Sequence, residues 1–99
     1  MIENRYLLKI SANYSGSLKE MWEWLEKNLD FQLKRKVGFE KVSYVVNRNE
    51  NAIIFTGRTV SGTMFVNENV LEISLMLPLL YRSLAPRIKK AILSIFKER

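Results

Sequence analysis

Val70-Leu71-Glu72-Ile73-Ser74-Leu75-Met76-Leu77 decides the fold. Leu71, Ile73, Leu75 and Leu77 alternate with Glu72, Ser74 and Met76, and successive side chains of a strand point to opposite faces. This is therefore a strand with one side in a core and the other toward water. Working backward, Asn67-Glu68-Asn69 makes a short turn from a second strand, Val60 to Val66. Gly57-Arg58-Thr59 links that strand to Ala52-Ile53-Ile54-Phe55-Thr56, and the turn-like run Asn47 to Asn51 links it in turn to Lys41 to Val46. Links this short favour antiparallel hairpins.

The flanks read differently. Tyr6 to Ser11 is a first strand, broken by Ser15-Gly16. Ser17-Leu18-Lys19-Glu20 is then a capping-box start, in which hydroxyl and carboxylate each satisfy a free backbone amide. The helix runs to about Val37 and stops at Gly38. Leu18, Met21, Trp22, Leu25, Leu29 and Leu33 form one apolar stripe along it. After Pro78, a second helix is expected to begin between Ser83 and Pro86 with Ser83 as its cap. Its stripe is Leu84, Ile88, Ala91, Ile92 and Ile95. The order β-α-β-β-β-β-α predicts one α+β domain over 1–99, an antiparallel sheet with two helices packed mainly on one face. Leu77-Pro78-Leu79-Leu80-Tyr81, apolar and wedged between two periodic segments, reads as a buried corner joining sheet to helix.

Composition narrows the chemistry. The chain has no histidine, which removes the usual base near neutral pH, and no cysteine, which removes thiolate nucleophiles and thiolate metal sites. Its four glycines form neither a P-loop nor a dinucleotide fingerprint. Glu20, Glu23 and Glu26 share a helix surface, but that spacing is ordinary on solvated faces. No catalytic residue, metal or cofactor is expected, and the chain reads as non-enzymatic. The opening Met1-Ile2-Glu3-Asn4-Arg5 lacks the apolar run of a secretory signal, and the longest apolar runs are far below the roughly 20 residues of a transmembrane helix. A cytoplasmic protein is expected.

What remains is surface. Arg82, Arg87, Lys89, Lys90, Lys97 and Arg99 face a single acid, Glu98, so nearly all of the net +6 lies at the C-terminal end. Such a helix is either a solvated face or a seat for an anionic partner. Trp24 and Phe31, seven residues apart and off the first helix's stripe, form a second ridge near Arg35; Leu93 and Phe96 sit off the second stripe among Lys89, Lys90 and Lys97. These eight residues are the candidate contact surface. A further candidate is the outer sheet face, where Phe65, Met76 and one register of the first hairpin strand (Val42, Tyr44 and Val46, or Ser43 and Val45) would project.

Gly57, Val60-Ser61-Gly62-Thr63, the alternation from Val70 to Leu75, Leu77-Pro78-Leu79-Leu80, Arg82 and Arg87-Ile88 together resemble the small bacterial polyhydroxyalkanoic acid system proteins. The likeness is densest over roughly the last 45 residues. It departs where the family carries an apolar-Arg-Pro-aromatic-Lys run: here Tyr81-Arg82-Ser83-Leu84-Ala85-Pro86 displaces the proline. The resemblance implies a non-enzymatic accessory role at polyhydroxyalkanoate granules or their synthesis machinery, with granule surface or granule proteins as partners. An alternative is a ribosome- or RNA-binding module using the basic C-terminal helix, since the order of elements is similar to that of ribosome hibernation factors. The absence of an aromatic RNA-binding strand motif makes nucleic acid the lesser alternative. A third reading is a carrier of a small apolar ligand, or a homodimer that buries the second sheet face.

Overall fold

The computed structural model describes residues 5–38 and 41–99; the reading of Met1 to Asn4 as a non-secretory N-terminus lies outside the described residues. The elements follow in the order β1 (Arg5–Asn13), α1 (Leu18–Lys36), β2 (Ser43–Asn47), β3 (Ala52–Thr56), β4 (Ser61–Asn67), β5 (Val70–Pro78), a 3-10 turn (Leu79–Leu84) and α2 (Ala85–Lys97). The expected α+β architecture is the one observed. The five strands form one sheet, ordered β1-β5-β4-β3-β2 and antiparallel at every step. The hairpins therefore build four strands in sequence order, and the first strand closes against the last.

The alternation in β5 sets the register of the whole sheet. Leu71, Ile73, Leu75 and Leu77 face inward and are buried, as are Leu8 and Ile10 on β1, Met64 and Val66 on β4, and Ile53 and Phe55 on β3. Gly62 sits on this inner face opposite Leu75. A Cβ there would lie 2.1 Å from the Ser74 carbonyl oxygen, so no side chain fits. No described element covers the other face: Phe65, Met76, Ser43 and Val45 lie on it, which settles the open register of β2.

α1 begins as its sequence dictates. The Ser17 hydroxyl accepts from the Glu20 amide and the Glu20 carboxylate accepts from the Ser17 amide, both at 3.1 Å. Those bonds, first the one from the Ser17 amide, hold the Glu20 carboxyl below the usual carboxylate range. At the other end the Gly38 amide donates back to the Leu33 carbonyl at φ +77°, a left-handed stop that glycine adopts without penalty. Met21, Trp22, Leu25, Leu29 and Leu33 are buried as the stripe predicts, while Leu18 is half-buried.

The second helix starts differently from expectation. Ser83 does not cap it: α2 has no side-chain cap, and the preceding Leu84 is already right-handed helical. The physical reason is the 3-10 turn. A capping hydroxyl works from an extended N-cap residue, whereas here a tight helical turn feeds straight into α2, with Pro86 accepted in its first turn.

Candidate docking surface

The core holds no room for a carried ligand. Its residual void, lined by Leu33, Val42, Phe55, Met64, Leu75, Ile92 and Phe96 among others, is about 10 Å³, no more than the space of a single water. Among the described residues no three acids come together to hold a metal, and no helix is long and apolar enough to cross a membrane. The site is to be sought on the surface.

The structure disperses the predicted contact residues. Phe96 is buried, and this corrects its placement on the surface: α1 lies over it, and Trp24 packs on its ring with centroids 5.8 Å apart. Trp24 is accordingly half-buried, and Leu93 is packed against the core. Phe31 alone of the four apolar candidates is fully open, at 62% exposure, with the Arg35 guanidinium 5.9 Å above its ring. Lys89, Lys90 and Lys97 are exposed on α2. Trp24 and Phe31 thus share no exposed ridge, because Trp24 turns into the groove between the helices.

Apolar side chains are exposed in two places: on the outer sheet face, as expected, through Leu7, Val45, Ile54 and Phe65, and on the turn after β5, where burial was expected. The 3-10 turn contains no buried residue. Leu80 is 78% exposed, and Leu79 and Leu84 are exposed as well. The cause is the join itself. Pro78 takes φ −57° and ends β5, and the next six residues turn at the end of the core, with Tyr81 packed against it and Leu79, Leu80 and Leu84 left outside. Only Ala85, at the start of α2, is drawn back inside.

Charge surrounds this corner unevenly. Beside it, between β1 and the start of α2, lies an open concavity of about 490 Å³ lined by Tyr6, Leu8, Lys9, Arg82, Ala85, Pro86 and Lys89. Among the described residues, three cations and no carboxylate line it. α2 has no acid in its first turn, where the helix dipole would favour one. The side chains of Lys9, Arg82, Arg87, Lys89 and Lys90 have no hydrogen-bond or ion-pair partner among the described residues. On the other side of the turn, Leu84 lines a groove with Val37, Arg58, Val60, Tyr81 and Ile88.

The α1 side contrasts with this. Lys34 pairs with Asp30 at 3.1 Å, and Lys36 with Glu98 at 2.9 Å; the Lys36 hydrogen bond holds the Glu98 carboxyl below its usual range. Arg48, on the β2–β3 turn, bonds Glu26 at 2.7 Å and stacks 4.7 Å over the Trp22 ring. Between α1 and β2, burial, with the Asp30 carboxylate second, pushes the Tyr44 phenol up to about 12. On this side, unlike the corner, cations are interleaved with acids: Lys19, Glu23 and Lys27 are exposed among the paired groups.

Compared with family models, with curated proteins and with solved structures, the chain has no match in any of the three.

Proposed function

We propose that this chain is a non-enzymatic accessory protein that docks on polyhydroxyalkanoate granules or their synthesis machinery through an apolar and basic surface. One observation carries the reading: Leu79, Leu80 and Leu84 stand exposed on a short turn near Arg82, Arg87 and Lys89, whose side chains have no partner among the described residues. Monomeric proteins scatter single apolar residues over their surfaces, but adjacent large ones rimmed by charge mark interaction sites. The resemblance of Gly57 to Ile88 to the polyhydroxyalkanoic acid system proteins supports the setting, and it includes Leu79, Leu80, Arg82 and Arg87 themselves. The absence of histidine and cysteine supports a role without chemistry. A fluorescently tagged chain is expected to ring granules in cells making the polymer and to spread evenly in cells making none. An even spread in both would overturn the proposal.

A second reading, an RNA-binding module, draws support from the concavity that Lys9, Arg82 and Lys89 line. Phosphate contacts release counterions, so filter binding of RNA would weaken steeply with salt. A flat salt dependence removes this reading.

A further inference from the structure

We propose that the corner formed by the 3-10 turn and the first turns of α2 binds anionic phospholipid, inserting Leu79 and Leu80 among the headgroups while its cations meet the lipid phosphates. This rests on the docking reading above and names the chemistry of the surface.

Two properties of the corner select that partner. The first is apolar: Leu80 is the most open large hydrophobic side chain among the described residues, at 78%, and Leu79 beside it is 43% exposed. They do not hang on a loose loop. The turn is held between β5 and α2 and packs against β1 as well, so two leucines are presented at fixed geometry with little left to order on binding.

The second property is charge. Arg82 follows the leucines by two residues, and Arg87, Lys89 and Lys90 continue along α2, with no acid before Glu98. Lys9, reaching from β1, lines the same concavity as Arg82 and Lys89. Anionic membrane surfaces attract such clusters, and interfacial binding grows with apolar area and with positive charge together. A nucleic acid would satisfy the cations but give Leu79 and Leu80 nothing apolar to enter. Its bases stack on aromatic rings, and the concavity offers only Tyr6. An anionic lipid layer satisfies both halves of the corner at once.

The test is flotation of the full chain with vesicles of phosphatidylcholine alone or mixed with phosphatidylglycerol. Binding is expected to the mixed vesicles only, weakening as salt rises. Arg82→Glu with Arg87→Glu is expected to lower it more than about tenfold, at roughly 1 kcal/mol per cation lost near the surface. Lys19→Glu with Lys27→Glu on α1, the same change in net charge, is expected to leave it within about twofold, those lysines lying on another element. Leu80→Asp is expected to abolish insertion with an unchanged circular dichroism spectrum, since an exposed side chain carries little stability.

Equal binding to neutral and anionic vesicles overturns the proposal, as does equal loss from the two double variants. RNA binding that survives Leu80→Asp, without vesicle binding, assigns the corner to nucleic acid. Protein that pellets with bare polymer particles but ignores every vesicle defeats the lipid assignment and leaves docking standing. Protein that ignores both defeats both.

Discussion

Leu77 and Leu80 are the same residue type three positions apart, and the fold treats them oppositely. Leu77 closes the inner face of β5, paired across from Tyr6, with no exposed surface at all; Leu80 is 78% open. Between them stands Pro78. The contrast shows that hydrophobicity alone does not assign a residue to the core: what counts is whether the backbone is still within the layered elements when the residue arrives. On the β5 side a leucine has helices above it. On the turn side it has water, and Arg82 two residues on has no side-chain partner among the described residues.

The sharpest way to break the comparison is to truncate both leucines. Leu77→Ala empties a closed site and is expected to cost about 2–5 kcal/mol in denaturant unfolding. A cost below 1 kcal/mol, against roughly 2 for the mildest buried truncations of this kind, would show that the inner face of β5 is not the core. Ser17→Ala removes the hydroxyl half of the α1 capping box and is expected to cost about 1 kcal/mol, read in the same way. An unchanged midpoint would mean that the box contributes nothing.

The next effect appears only in alkali. Tyr44 holds its proton to about 12 when folded, against roughly 10 in an unfolded chain. The folded state thus favours the neutral phenol: its contribution is complete below pH 10 and is lost as pH rises toward and through 12. Tyr44→Phe is expected to flatten the fall in melting temperature over that window, and an equally steep fall would contradict the assignment. The smallest effect on stability belongs to Leu80→Ser, within about 0.5 kcal/mol of the parent. A loss as large as that of Leu77→Ala would erase the distinction between the two leucines.

Much of the fold was legible because its signals are local. The alternation of β5, the capping box at Ser17 and the glycine stop at Gly38 each act within a few residues, and all three appear as read. The site was less legible, for two physical reasons. Phe96 lies off its own helix's stripe, and only the presence of α1, with Trp24 to pack on it, draws it inside. Periodicity within one helix does not reveal a groove between two. Leu79 and Leu80 misled in the opposite direction: they look like core because they are apolar and flanked by core, yet a 3-10 turn beginning at Leu79 carries them past the sheet. Their neighbours did hold a signal, since Arg82 and Arg87 follow with no acid nearby.

The central claim is that this corner, and no other surface, does the docking. Its most direct test is sedimentation of the purified chain with polyhydroxyalkanoate particles, alongside Leu80→Asp and Phe31→Asp, the open apolar residue of α1. The parent and Phe31→Asp are expected to pellet with the particles, and Leu80→Asp to stay in solution with an unfolding curve like the parent's. If Leu80→Asp pellets as the parent does, or Phe31→Asp is the variant left behind, the corner is not the docking surface.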